Sequence, residues 1–227
     1  MDKATTWLKN SLDYSFADEQ LLSQALTHRS AHGPNNERLE FLGDAVLQVI
    51  ISDIVFSEKP QASEGQLSRL RSSFVRDVTL AEVALSLGIG EHLILGSGEK
   101  KSGGYRRGSI LADTLEAIFG AVYLDAGFVA ARQVICAAYG DRLQDIPDGA
   151  DLRDPKSRLQ ELLQGRGLAL PVYAMENATG KAHKQSFEFS CSIPELEVTT
   201  YGRGSTRRDA EQEAALAMLE SVAKLDK

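Results

Sequence analysis

An acidic stripe runs along one face of an otherwise apolar helix in NERLEFLGDAVLQVIISDIVF, and this combination constrains the fold more than any other feature of the chain. Glu37, Glu40, Asp44 and Gln48 recur at i, i+3, i+7 and i+11, which at about 100° per residue confines them to an arc of roughly 80°. The other faces carry Leu39, Phe41, Leu42, Val46, Val49, Ile50, Ile54 and Val55, a pattern that predicts a helix buried nearly all round. A second segment, SILADTLEAIFGAVYLD, sets Asp113 and Glu116 on a face with Ala112, Ala117 and Gly120, small residues that let another helix backbone come close.

If the two faces meet, four carboxylates share one pocket. Each pair about 6 Å apart repels by roughly 3 kcal/mol at an effective dielectric near 20. Protons or divalent cations must relieve this, and a ligand set of oxygens alone suits Mg²⁺ or Mn²⁺ rather than zinc. Acids at i, i+3 on a helix are more often a solvated face, and that reading stands beside the metal site at this point.

At 227 residues the chain has room for one domain of about 150 residues and a smaller one. Cys136 and Cys191 form no CxxC pair and are expected as reduced, mostly buried thiols. The start MDKATTWLKNSLDYSF lacks a basic region followed by an apolar run, and no apolar stretch approaches the roughly 18 residues of a membrane span, so a cytoplasmic protein without a membrane partner is expected. The formal net charge of −7 would normally argue against a nucleic-acid binder. Residues 1–150 hold 14 basic and 20 acidic side chains, so any contact with a polyanion must come from local basic clusters such as Lys100, Lys101, Arg106 and Arg107.

The stretch LQDIPDGADLRD turns polar, and Pro147 and Gly149 break any continuing helix. We therefore divide the chain into a domain at 1–147, a linker at 148–153 and a second domain at 154–225. The second reads as helix, three strands, helix. Pro155 suits a first helical turn, with Leu159, Leu162 and Leu163 as the apolar face. A short strand is expected at 172–176. SFEFSCSI alternates strictly, with Phe187, Phe189, Cys191 and Ile193 on one face and Ser186, Glu188, Ser190 and Ser192 on the other. LEVTTYGRG gives a third strand, and DAEQEAALAMLESVAKL an Ala-rich amphipathic helix. Three strands with two helices on one face make an α+β sandwich.

NERLEFLGDAVL resembles the signature of the ribonuclease III family of double-stranded-RNA endonucleases. LTHRS at 26–30, EGQLSRLR at 64–71 and LGSGEKKSGGYRRGSILADTLEAIFGAVYLDAG at 95–127 match further family blocks in order. Gly108 departs from the acidic or polar residue expected there. The C-terminal part resembles the double-stranded-RNA-binding domain, whose closing signature stands here as GRGSTRRDAEQEAA from Gly202 to Ala215, with Arg207 and Arg208 in place of the usual lysines. The family often has a proline after the glycine of the loop between the first two strands, where this chain has Lys181.

The resemblance implies a mainly α fold: an all-helical endonuclease domain, then a small α-β-β-β-α RNA-binding domain. It implies Glu40, Asp44, Asp113 and Glu116 as ligands of Mg²⁺, with Mn²⁺ a possible substitute, and Asp44 and Glu116 closest to the chemistry. Glu37 and Glu64 match positions for cation or substrate positioning, or for subunit contacts. Gln160, Glu161 and His183 match minor-groove contacts, and Lys184, Arg207 and Arg208 phosphate contacts. Arg207 and Arg208 stand at a helix start, where free N–H groups already favour anions. Inline attack by water should leave 5′-phosphate and 3′-hydroxyl ends. A 2′-hydroxyl route is disfavoured because no motif pairs His28, His32, His92 or His183. Staggered cutting of both strands calls for two sites on a two-fold axis, hence a homodimer, with Phe41 and Leu42 as either interface anchors or core. Two rivals remain: a protein that binds duplex RNA without cutting it, and a metal-dependent phosphohydrolase of small nucleotides.

Overall fold

Helical spacing of apolar residues dominates the first two thirds of the chain, and strand alternation appears only near the C-terminus. A computed structural model describes residues 3–147, 153–180 and 185–225. They belong to two compact units, Met1–Leu152 and Arg153–Lys227. The predicted linker lies outside the described residues except for Arg153.

The first unit is helical: α1 (Lys3–Leu12), α2 (Glu19–Ala25), α3 (Glu37–Glu58), α4 (Glu64–Val75), α5 (Asp77–Ser86), α6 (Ser97–Lys101) and α7 (Gly108–Tyr139). Local chemistry sets several of the starts. Asp18 accepts from the Gln20 N–H at 2.9 Å to cap α2, and Ser63 and Gln66 form a reciprocal capping box on α4. The core lies between α3 and α7, where Leu47, Ile50 and Ile51 meet Leu115, Ile118 and Phe119, all essentially without exposure. Gly127, at φ 77°, interrupts α7.

Two expectations need correction here. The helix at 37–58 is not buried nearly all round: Phe41, Val49 and Phe56 are 81%, 57% and 69% exposed. Their spacing brings them to one face, opposite the core residues Leu47, Ile50 and Ile54. Periodicity marks such residues as apolar and leaves open what covers them. Second, residues 108–143 are long and apolar enough to cross a membrane, contrary to the expectation that no stretch approaches that length. Half of that helix's most apolar window is buried inside the unit, as a core helix is.

The loop between α1 and α2 is held to α7 by Asp125. Its carboxylate accepts from the Tyr14 hydroxyl at 2.6 Å and from the Ala17 and Asp18 amides at 2.9 and 3.0 Å. Partial burial raises its pKa, but these donors outweigh it and the net shift is downward. A depressed carboxylate stabilises the fold above its unfolded pKa, and that stability disappears as pH falls through the folded value. Asp125→Asn is expected to lower stability by about 1–2 kcal/mol at pH 7. Denaturant melts should show the gap closing as pH falls below the ordinary carboxylate range.

The second unit contains α8 (Pro155–Gly165), β1 (Val172–Thr179), β2 (Ser186–Ile193), β3 (Val198–Gly204) and α9 (Arg207–Leu225). The sheet is antiparallel in the order β1-β2-β3, and β1 runs three residues beyond the expected strand, with a bulge between Met175 and Asn177. Cys191 and Ile193 face a core shared with Leu159, Leu163, Ala214, Ala215 and Met218, and Phe189 is also buried. Ser190, expected on the open face, is buried, its hydroxyl donating to Glu176 at 2.6 Å. A Cβ on Gly202 would stand 2.2 Å from the Ala214 nitrogen, so Gly202 and the small face of α9 together allow the helix to lie directly on β3. Asp154 caps α8 and also accepts from Gln212, while Lys156 pairs with Glu211, tying α8 to α9. Both cysteines are free.

Candidate functional site

Glycine sets the spacing of the two acidic helices. A Cβ on Gly43 would lie 1.8 Å from the Glu116 carbonyl oxygen, and one on Gly120 would lie 2.2 Å from the Leu39 carbonyl oxygen. The backbones of α3 and α7 therefore touch at Gly43 and Gly120. Glu40 and Asp44 flank one side of this crossing, and Asp113 and Glu116 the other.

The electrostatics report the same convergence. Burial and the charges of Asp44, Glu40, Asp113 and Asp77 push Glu116 up to about 8. Glu40 is raised by burial, Asp113 and Glu37, against a lowering influence from Arg29. Asp113 is raised by burial and Asp77, while His28 and Arg29 act in the opposite sense. Gln48 donates to both oxygens of Asp44 at 2.9 and 3.1 Å, which fixes that carboxylate against α3.

Among the described residues, no three His, Cys, Asp or Glu side chains are gathered tightly enough to enclose an ion as they stand. Mutual repulsion opposes such a gathering until a positive charge offsets it. The donor set itself, four carboxylates on two facing helices, fits a hard divalent cation.

A cavity of about 650 Å³ opens beside the cluster, and Glu37, Glu40 and Asp113 contribute to its wall. His28, Arg29 and Arg107 line the same cavity. Arg29 lies 3.5 Å from Glu37, and Arg107 lies 3.0 Å from Glu99, so two of the cavity's acids already have a cation. Glu64 does not line it; this residue is exposed at the start of α4. Sequence reasoning gave no site role to His28, Arg29, Asn36 or Asp77. His28 and Arg29 arrive because the segment after α2 pairs with Ile94, through Ile94 N–H to Leu26 O at 2.9 Å and His28 N–H to Ile94 O at 3.0 Å. Asp77 is the first residue of α5, and nothing in its local sequence marks it.

The expected basic stretch is ordered rather than a loose loop. Lys100 and Lys101 end α6, Arg106 stands 5.2 Å from the Tyr105 ring centroid, and Arg107 faces the cavity.

In the second unit, Gln160 and Glu161 are exposed on α8, with the Glu161 carboxylate paired to Arg153. Arg207 and Arg208 open α9, and both are exposed. The Arg207 guanidinium lies 5.9 Å from the Phe187 ring. Thr206 and Asp209 cap that helix reciprocally at 3.1 and 3.2 Å. His183 and Lys184 lie outside the described residues.

Residues 18–143 match the family model described as Ribonuclease-III-like, and residues 155–222 match the double-stranded RNA binding motif. Ribonuclease 3 of Vibrio cholerae serotype O1 is 48% identical over 215 residues, covering 95% of this chain and 96% of that protein. Ribonuclease 3 of Nitrosococcus oceani is 51% identical over 214 residues, with 93% and 92% covered. A crystal structure of the nuclease domain of ribonuclease III from Campylobacter jejuni superposes with a TM-score of 0.61 at 40% identity, over 64% of this chain and all of that one. With both segments matched and nearly full-length relatives sharing about half its residues, the chain belongs to the ribonuclease III family of endoribonucleases.

Proposed function

We propose that the protein hydrolyses double-stranded RNA by divalent-metal-assisted attack of water, leaving 5′-phosphate and 3′-hydroxyl ends with a short 3′ overhang. The observation that carries this reading is the meeting of Glu40, Asp44, Asp113 and Glu116 at the Gly43–Gly120 crossing. These four residues would hold Mg²⁺, with Mn²⁺ as a substitute. The cation supplies charge stabilisation to the phosphate and a more acidic water. Asp44, locked by Gln48, presents its carboxylate in a fixed orientation. Glu116, the most strongly raised acid of the cluster, would be held as a carboxylate beside the cation and would orient the attacking water. Glu40 and Asp113 complete the cluster. Glu37 holds Arg29 at the rim of the cavity, and Glu64 is assigned to substrate positioning or subunit contact. Structured transcripts and ribosomal RNA precursors in the cytoplasm are the proposed substrates.

Incubation with a perfect RNA duplex tests the reading. Staggered cuts with Mg²⁺ and none in EDTA are expected. Retention of the duplex without cleavage would favour the pure binding protein, and hydrolysis of mononucleotides alone the small-molecule phosphohydrolase.

Residues 154–225 would grip the duplex by shape. Gln160 and Glu161 on α8 face a minor groove, His183 and Lys184 a second contact, and Arg207 and Arg208 the phosphates between. Replacing both arginines by alanine is expected to weaken duplex affinity about equally for unrelated sequences. The slope of log affinity against log salt should fall by nearly two units, measured by titration at several salt concentrations.

The same reading assigns a homodimer. Phe41, Val49 and Phe56 form an exposed apolar strip on α3, and a second Campylobacter jejuni nuclease-domain structure is described as flexible in a region involved in dimer formation; it is 43% identical, with a TM-score of 0.57, over 58% of this chain and 93% of that one. Phe41→Asp should weaken self-association on the order of 10³-fold, since a buried aromatic anchor is worth about 2 kcal/mol and a two-fold axis uses it twice. Sedimentation at micromolar concentration should show a monomer for this variant and a dimer for the parent.

A further inference from the structure

Asn36 occupies the N-cap position of α3, where an asparagine ordinarily accepts from the helix's own amides, yet its side chain makes no capping bond. The residue is only 2% exposed, it lines the cavity beside the carboxylates, and its Nδ2 has no hydrogen-bond partner. Buried donors are almost always paired, so an orphan on a residue that lines a cavity calls for an acceptor from outside the fold. Arg29 and Arg107 line the same cavity and offset Glu37 and Glu99, so once a divalent cation offsets Glu40 and Asp113 no net negative charge is left to repel an anionic acceptor. Resting on the nuclease reading above, we propose that Asn36 donates to a backbone phosphate oxygen of duplex RNA flanking the cut. It is a positioning residue that helps to hold the strand beside the catalytic acids. Glu37 and Glu99, the acids paired with those arginines, keep the guanidinium groups at the wall. Glu40 and Asp113 remain for the cation.

The geometry makes opposite predictions for two small substitutions. Asn36→Ala removes the donor, and Asn36→Asp replaces it with a carboxylate that repels a phosphate. On a defined duplex at saturating Mg²⁺, Asn36→Ala should raise KM about tenfold, equivalent to about 1.4 kcal/mol. Asn36→Asp should raise KM further. For both, kcat should stay within about twofold of the parent and the Mg²⁺ concentration for half-maximal rate should not change. Melting of Asn36→Ala should be no lower than that of the parent, because no native hydrogen bond is lost.

An Asn36→Asp protein as active as the parent, or one needing less Mg²⁺, would show that the amide oxygen faces a cation and would overturn the proposal. So would an unchanged KM in both variants, or parallel losses in KM, kcat and melting temperature. If the parent binds duplex without cutting it, the nuclease reading fails separately. Fluorescence anisotropy with a labelled duplex in Mg²⁺ then reads the Asn36 contact, with weaker binding of both variants supporting it and equal binding overturning it.

Discussion

Glu116→Gln is expected to cut duplex RNA about 10³-fold more slowly than the parent, to bind it equally well, and to melt at a higher temperature than the parent in EDTA at pH 8. The first effect follows from removing a ligand charge at nearly constant volume. The last follows from the cluster's repulsion. Glu116 is held up to about 8 by burial and by Asp44, Glu40 and Asp113, from an ordinary 4.5. An acid whose folded pKa is raised makes the metal-free fold lose stability as pH climbs from the unfolded value near 4.5 to the folded value near 8, and level off above it. Solvent reaching the open side of the cluster reduces the effect to about 1–2 kcal/mol, a few degrees for a unit of this size. Melts of parent and variant in EDTA should therefore coincide at pH 4.5 and separate by pH 8. Mg²⁺ should raise the melting temperature of the parent more at pH 8 than at pH 5, since cation binding displaces the proton. A variant that loses binding and cleavage together, or that melts lower than the parent at pH 8, would remove Glu116 from the cluster.

The acidic stripe was legible because helical periodicity alone brings Glu37, Glu40, Asp44 and Gln48 to one face. Its meeting with Asp113 and Glu116 was legible from Ala112, Ala117 and Gly120, which leave nothing to hold two backbones apart. What covers an apolar face is not encoded in its period: Val49 reads as core and Phe41 as either core or interface anchor, and both, with Phe56, are open to solvent in one copy of the chain. His28 and Arg29 reach the cavity through pairing between residues 26–28 and 94, some 65 positions apart, which no local pattern announces. Asp77 reaches the cluster in the same non-local way.

The C-terminal unit was readable at a finer grain because most of its signals are short-range. Alternation in SFEFSCSI gives the buried face, Pro155 gives a helix start, and the glycines of β3 with the alanines of α9 give their contact. The exception is again a side chain whose surroundings come from elsewhere: Ser190 alternates outward but is covered by Glu176, which stands between the bulge residues Met175 and Asn177 of β1.

Gly43→Ala should destabilise the first unit by about 3–5 kcal/mol and abolish cleavage, although alanine is the better helix former. The new methyl would sit 1.8 Å from the Glu116 carbonyl oxygen and 2.9 Å from the Gly120 nitrogen. Both obstacles are backbone, so α3 and α7 must separate. Separation opens the core at Leu47, Ile50 and Leu115 and carries Glu40 and Asp44 away from Asp113 and Glu116. Such a loss is a large part of the roughly 5–15 kcal/mol that holds a domain together. Gly65→Ala is the matched control, because a methyl there meets only the tip of the Arg69 side chain at 3.5 Å. In α4 this change should be neutral or stabilise by about 0.5–1 kcal/mol through helix propensity. Denaturant unfolding of the two variants separates backbone crowding from propensity. If both alanines were tolerated equally, the two helices would not be in contact at Gly43, and the acids would have no shared place in which to hold a cation.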